Sequence, residues 1–192
     1  DIRMKHKQEV EKIRISRFSK NELWQHTLLM ITFLILAITG FQLKFPGSWW
    51  AEGLTYIGLD ETVRRSVHRI SAVLMLILSF YHVYYLLITR RGRAILISLL
   101  PKFEDFKMAT QTILFYLHIK KKYPEFDQYD YTEKIEYWAL IWGTVIMAIT
   151  GLILWFPAIS TGMLPSWSIK VSEIIHYYEA ILASLAILIW HW

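Results

Sequence analysis

The sequence contains no cysteine among its 192 residues. Without thiols the chain can form no disulfide, ligate no iron–sulfur cluster and attach no c-type haem through thioether bonds. Any metal or haem bound by this chain must therefore be held by other side chains, and histidine and methionine are the candidates.

Charge is absent from three long stretches, residues 23–43, 70–89 and 137–169, which contain 21, 20 and 33 residues. A helix needs about 20 apolar residues to span a membrane. The third stretch can hold a span and a loop broken at Pro157 and Pro165, and a fourth apolar segment follows it. The sequence, which is 55% hydrophobic, thus predicts an all-α membrane protein with four transmembrane helices in a single domain over residues 1–192. The predicted spans are about 22–43, 66–89, 135–156 and 171–192.

Positive charge is distributed unevenly between the predicted loops. Of the 21 Lys and Arg residues, seven precede the first span and nine lie between the second and third, whereas five lie in the other two connections. The positive-inside rule therefore predicts that both termini and the middle loop face the cytoplasm, with the chain in a bacterial or archaeal inner membrane. Anionic membrane lipid accounts for the net charge of +5, so no nucleic-acid partner is needed.

Within the middle loop, apolar residues such as Phe103 and Phe106 recur at helical spacing over residues 103–119. This pattern is typical of an amphipathic helix that lies on the inner membrane surface, and binding of a partner protein is the alternative. The chain begins at Asp1 and ends inside an apolar segment at Trp192, so we expect it to be part of a longer protein.

Four histidines occur in the predicted spans at matched spacings. His68 and His82 are 14 residues apart in the second span, and His176 and His191 are 15 apart in the fourth. At about 1.5 Å rise and 100° per residue, each pair stays near one helix face with roughly 21 Å between its members. Because histidine is costly inside a bilayer, four at such positions need a reason. Two such helices side by side would present two facing pairs, an arrangement that indicates two stacked haems with bis-histidine ligation.

An internal repeat relates the two halves of the chain. Residues 37–46 match residues 148–157 at an offset of 111, and the histidine pairs match at offsets of 108 and 109. Parallel repeats imply a pseudo-twofold axis along the membrane normal. The first histidines of the two pairs, His68 and His176, are therefore expected to face each other near the outer surface, and the second histidines near the inner surface.

Three further positions have more than one interpretation. Gly40 and Gly151 are equivalent in the repeat, and the missing side chain would admit either a flat macrocycle or a closely packed helix. His26 lies at the inner end of the first span, where its counterpart is Tyr137, so it stands outside the symmetric set. His26 is a candidate for a haem ligand, for a quinone site or for a hydrogen bond at the interface. Zinc is disfavoured, because residues 14 apart on a helix cannot reach one ion, and a proton relay remains an alternative.

These features resemble the four-helix cytochrome b superfamily. The spacings of 14 and 15 resemble cytochrome b of the bc and b6f complexes. Three segments look closer to prokaryotic cytochromes b, including cytochrome b561 and the di-haem subunits of formate dehydrogenases, nickel–iron hydrogenases and modules attached to multihaem cytochromes c. The segments are Trp24-Gln25-His26, Val67-His68-Arg69 and Ile175-His176-Tyr177-Tyr178-Glu179-Ala180.

The resemblance implies two non-covalent b-type haems that carry electrons between a membrane quinone pool and a redox partner. The chain would be the cytochrome b subunit or domain of a quinone-linked oxidoreductase, with a periplasmic or membrane partner such as a multihaem cytochrome c. The resemblance assigns His68 and His176 to the outer haem and His191 to the inner haem. The second inner ligand is either His82, which the repeat favours, or His26, and a third haem on the remaining histidine is a further alternative.

The anionic propionates of a haem need cationic or polar partners. The candidates near the outer haem are Arg64, Arg65, Arg69 and Lys170, and ordinary interfacial residues are the alternative. Glu179 is a candidate carrier for the quinol proton, or a hydrogen-bond partner of a ligand histidine. Two other functions compete: a haem-binding membrane anchor or sensor without quinone oxidoreductase activity, and a transporter. The transporter is disfavoured because the first, second and fourth spans contain no proline.

Overall fold

The computed structural model describes residues 18–124 and 128–190. This part of the chain forms eight helices and no strand, which we number in chain order. The helices are α1 (Lys20–Lys44), α2 (Trp49–Tyr56), α3 (Glu61–Ile88), α4 (Arg90–Leu99), α5 (Phe103–Tyr116), α6 (Tyr131–Trp155), α7 (Pro157–Met163) and α8 (Trp167–Trp190).

The four long helices α1, α3, α6 and α8 are each long and apolar enough to cross a membrane. This confirms the predicted all-α bundle of four transmembrane helices. Each of the four begins two to five residues earlier than the sequence predicts. The reason is visible at their first turns, where capping residues lie outside the uncharged stretches.

Polar caps fix the beginnings of α1 and α6. Ser19 accepts a hydrogen bond from the backbone N–H of Glu22, and the Glu22 carboxylate accepts one from the backbone N–H of Ser19. Asp130 and Glu133 form the same reciprocal capping box before α6. Such caps satisfy backbone donors that the helix leaves unpaired, so each helix extends beyond its apolar segment.

The four spans form two helical hairpins. Helix α1 packs along α3, and α6 packs along α8, so the closest approach of helix backbones lies within the hairpins. Buried residues recur every seven positions along α1 and α3, which places one stripe of each helix against the other. The stripe residues are Gln25, Thr32 and Thr39 on α1, and Arg64, Ser71, Leu78 and Tyr85 on α3.

Side chains connect the hairpins at both ends of the bundle. At one end, which we call the Lys44 end, Lys44 Nζ lies 2.7 Å from Glu173 Oε1. At the other, the His82 end, His82 Nε2 lies 3.1 Å from the hydroxyl oxygen of Tyr137. Short helices α2 and α7 close the two connections at the Lys44 end.

The connection between the hairpins contains the predicted surface helix. Helix α5 begins at Phe103 as expected but ends at Tyr116 rather than residue 119, because His118 adopts a positive φ of 60°. Lys134 of α6 donates a hydrogen bond to Asp105 of α5 at 2.7 Å. Helix α5 is thus fixed to the beginning of α6, and Phe103 remains exposed.

Helix α4 was not predicted from the sequence. Thr89 ends α3 and at the same time caps α4, because its hydroxyl oxygen accepts a hydrogen bond from the backbone N–H of Gly92 at 2.9 Å. A β-carbon at Gly92 would lie 2.8 Å from the Cα of Leu86. The sharp corner between α3 and α4 therefore requires glycine at this position.

Candidate cofactor site

His68 of α3 and His176 of α8 face each other across the two hairpins at the Lys44 end. Their ring centroids are 6.5 Å apart and their planes are inclined by 63°. Both rings are half-buried inside the bundle. The structure thus brings together the two residues that the sequence expected to face each other.

A threonine holds each of these rings through its Nδ1 atom. Thr39 Oγ1 lies 2.9 Å from His68 Nδ1, and Thr150 Oγ1 lies 2.8 Å from His176 Nδ1. Each threonine hydroxyl donates its own proton to a carbonyl four residues earlier, at 2.6 Å and 2.7 Å. Each threonine oxygen is therefore the acceptor, and Nδ1–H of the histidine donates. This tautomer leaves the lone pair on Nε2, which is the form that binds a metal.

Glycines lie against both histidine rings. A β-carbon at Gly40 would be 3.2 Å from His68 Cε1, and one at Gly151 would be 3.3 Å from His176 Cε1. Both distances are tighter than ordinary van der Waals contact. The two glycines thus set the position of the imidazoles, whatever else they admit.

His82 occupies a related but different environment. Its Nδ1 lies 2.7 Å from Gln25 Oε1, while the Nε2 of Gln25 donates to Asn21 Oδ1 at 2.9 Å. Nδ1–H of His82 is therefore the donor to Gln25, as the outer histidines are donors to their threonines. The difference lies at Nε2, because the Tyr137 hydroxyl is within hydrogen-bonding distance of it.

The other histidines are placed less distinctly. His26 is exposed on α1, one residue after Gln25, and it makes contacts of its own. His191 was predicted as an inner ligand but lies outside the described residues. His118 is exposed in the turn after α5.

The cationic candidates lie near the Lys44 end. The guanidinium of Arg69 stacks over the Trp155 ring at 5.2 Å, which links α3 to α6. Lys170 is exposed and pairs with Glu173 at 2.9 Å. Arg65 is likewise exposed and pairs with Glu61, whereas Arg64 is buried.

Glu179 lies three residues after His176 and packs against α6. Its Oε1 occupies the space above Gly143, 2.6 Å from where a β-carbon would be. Within the described part of the chain its carboxylate has no hydrogen-bond partner. At the repeat-related positions the first hairpin has Ser71 and Thr32, both buried. A carboxylate and the glycine that makes room for it thus distinguish the second hairpin from the first.

Sequence reasoning missed the hydrogen-bond partners of the histidines. Thr39 and Thr150 lie inside the repeated motif, immediately before the glycines, so the repeat contained a signal that could have identified them. Gln25 lies next to His26 in a segment already noted, but nothing in the sequence links it to His82.

Comparison with known proteins was made at the level of families and of individual sequences. The family model described as prokaryotic cytochrome b561 matches residues 17–192 of the chain. No curated protein matches the sequence. The match covers all four spans, the facing histidines and the threonines and glycines that hold them. The chain therefore belongs to the prokaryotic cytochrome b561 family, whose members are haem-binding membrane proteins that transfer electrons.

Proposed function

We propose that the chain transfers electrons across the membrane through two b-type haems, one near each membrane surface. The observation that carries this proposal is the facing pair His68 and His176, each with its Nε2 lone pair left available by a threonine on Nδ1. Bound there, haem iron would accept and release one electron at a time. With both axial positions filled by histidine, we expect electron transfer rather than oxygen binding.

The dimensions of the pair fit a shared iron. A histidine nitrogen lies about 2.0–2.1 Å from zinc, and a similar length to iron would separate the centroids of two axial imidazoles by roughly 6.3 Å. The observed separation is 6.5 Å. Gly40 and Gly151 leave room beside the rings where any larger side chain would push them out of place.

For the inner haem we propose His191 with His82 as the ligands. In favour of His82, the pairs Thr39–His68 and Gln25–His82 are each 14 residues apart on both helices, so the same support recurs one haem further down. For His82 to bind iron, the Tyr137 hydroxyl must give up its hydrogen bond to Nε2. His26 remains the alternative ligand.

Quinol is the proposed electron source or acceptor within the membrane, and a separate redox protein is the other partner. Its oxidation releases protons along with electrons, so a protonatable group beside the electron path is useful. Glu179 is our candidate, because it lies inside the span near His176 and has room to move over Gly143. We further propose that both termini and the α4–α5 connection face the cytoplasm.

The first experiment is a reduced-minus-oxidised spectrum of the purified chain with a pyridine haemochrome count. We expect two b-type haems, and we expect His68→Leu and His176→Leu each to lose one of them. His118→Asn is the matched control, since asparagine tolerates the positive φ at this exposed position. An unchanged haem count in a folded His176→Leu variant would contradict the proposal.

The same count separates the inner-ligand alternatives. Loss of one haem in His82→Leu, but not in His26→Leu, supports His82, and the reverse result assigns His26. Three haems in the parent would mean that both are ligands. If the folded protein binds haem but a quinol analogue fails to reduce it, the anchor or sensor function is the better account. With reduction observed, we expect Glu179→Gln to slow it while leaving the haem count unchanged.

A further inference from the structure

Two cations are buried in the described part of the chain, Lys134 and Arg64, and only one of them is paired. Lys134 is 4% exposed and donates to Asp105. Arg64 is 6% exposed, yet its Nε and Nη1 atoms have no hydrogen-bond partner. An unpaired buried charge is among the costliest features that a folded protein can contain. An anion from outside the chain would remove this cost.

The acidic residues next to Arg64 are already engaged. Glu61 forms its ion pair with Arg65 at 2.6 Å. Asp60 caps α3 by accepting a hydrogen bond from the backbone N–H of Val63 at 2.9 Å. The chain therefore has no free carboxylate at this turn to serve as the counter-ion of Arg64.

Other unsatisfied polar atoms lie at the same end of the bundle. Among the described residues, the buried side-chain atoms without a partner belong to Arg64, Gln42 and Ser168. Gln42 lies near the end of α1, and Ser168 lies two turns before His176 on α8. All three residues are at the Lys44 end, and Arg64 is one helical turn before His68. Unsatisfied groups at one place indicate a polar ligand there.

We propose that Arg64 binds a carboxylate of the haem held by His68 and His176, so that a propionate provides the missing anion. This inference rests on the proposed function. Four residues of α3 rise about 6 Å, and helical side chains lean towards the helix N-terminus, so Arg64 extends from the His68 ring towards the membrane surface. A guanidinium can hold a carboxylate through two parallel hydrogen bonds.

The assignment distinguishes Arg64 from the other cations at this end. Arg69 stacks on Trp155, and Lys170 and Arg65 are exposed with carboxylates of their own. Exposed pairs contribute little, and losing one leaves nothing buried without a partner. Arg64 is the cation whose burial without a partner demands a ligand. Ser168 on the facing helix is placed to donate to the second propionate.

The test compares haem with haem dimethyl ester, in which both carboxylates are blocked. The full chain carrying His191→Leu is stripped of haem and titrated with either compound, so that binding at His68 and His176 is read from the absorbance spectrum. We expect the ester to bind about tenfold to a hundredfold more weakly than haem. In Arg64→Gln this difference should vanish, and Arg65→Gln, the matched exposed control, should retain it.

Each other result has a definite meaning. Equal binding of haem and ester by the parent, or an undiminished preference in Arg64→Gln, would overturn the proposal. A loss caused by removing anionic lipid from the micelles, and not by esterification, would overturn it in favour of a lipid phosphate. Should Arg64→Gln fail to fold, Arg64→Lys keeps the charge without the planar fork and must show a reduced preference. Absence of any bis-histidine spectrum with either compound would instead refute the proposed function itself.

Discussion

At the scale of single residues, the two facing histidines depend on partners that chemistry rather than spacing selects. Thr39 and Thr150 each donate to their own helix, which obliges them to accept from histidine. The repeated positions of His68 and His176 could be predicted from the sequence, because helical spacing fixes a face. The direction of a hydroxyl proton could not, because it depends on side-chain rotamers that a sequence does not contain.

Replacing Thr39 or Thr150 with valine should weaken haem retention. Each change removes the acceptor for Nδ1–H, so the imidazole loses its fixed tautomer and part of its basicity, an effect typically of 10–100-fold in metal affinity. Transfer of haem to an excess of apomyoglobin measures the loss. Thr144→Val is the control, because the Thr144 hydroxyl contacts only the carbonyl of Leu140. Equal haem loss in the control would mean that the threonines merely stabilise the helices.

Adding one methyl group beside either ring should disturb the haem that we propose there. In Gly151→Ala the new β-carbon would be 3.3 Å from His176 Cε1, so the ring must shift by a few tenths of an ångström. Overpacking of this kind costs about 1–3 kcal/mol. We expect an altered low-spin spectrum and a lower thermal midpoint, measured by absorbance. Gly53→Ala has open space around it and should change neither.

At the scale of helices, hydropathy predicted which segments span the membrane but not where they begin. Charged residues ended each predicted span, whereas Ser19, Asp60 and Asp130 show that the helices extend to their caps. Helix α4 was missed for a related reason. Its cap, Thr89, is an ordinary residue in the sequence and becomes a cap only because Gly92 permits the turn.

The ion pair between Asp105 and Lys134 should decide whether α5 stays attached to α6. Replacing Lys134 with methionine leaves a carboxylate unpaired in a poorly hydrated place, which typically costs 3–5 kcal/mol. Limited proteolysis between α5 and α6 should then become faster. The double variant Asp105→Asn with Lys134→Met removes both charges and should recover most of the protection. No change in the single variant would show that the apolar contacts of α5 suffice.

The same pair predicts a response to acid. Burial opposes ionisation of Asp105, but the hydrogen bonds from Lys134 and from the backbone of Lys102 outweigh it, so the pKa lies below its ordinary value of 3.8. A lowered pKa adds stability above pH 3.8, and this stability is lost as the pH falls through the folded-state value. A spin label on Lys107→Cys should therefore gain mobility below about pH 4. In Asp105→Asn its mobility should not depend on pH over this range.

At the scale of the whole molecule, the uneven distribution of positive charge predicts one orientation. The native sequence has no cysteine, so a single introduced thiol is an unambiguous label. In right-side-out vesicles, a membrane-impermeant maleimide should react with Thr161→Cys in α7 but not with Lys121→Cys after α5. Opening the vesicles should make Lys121→Cys reactive. The reverse pattern would invert the proposed topology.

The hairpin organisation has a consequence for how the protein is made. Each hairpin pairs its own buried polar stripe, and the two halves touch mainly through side chains at their ends. Each half can therefore enter the bilayer as it is synthesised, without waiting for the other. Under our proposal, cofactor capture is the step that joins two preformed halves. We then expect the supply of haem, rather than membrane insertion, to limit how much mature protein a cell accumulates.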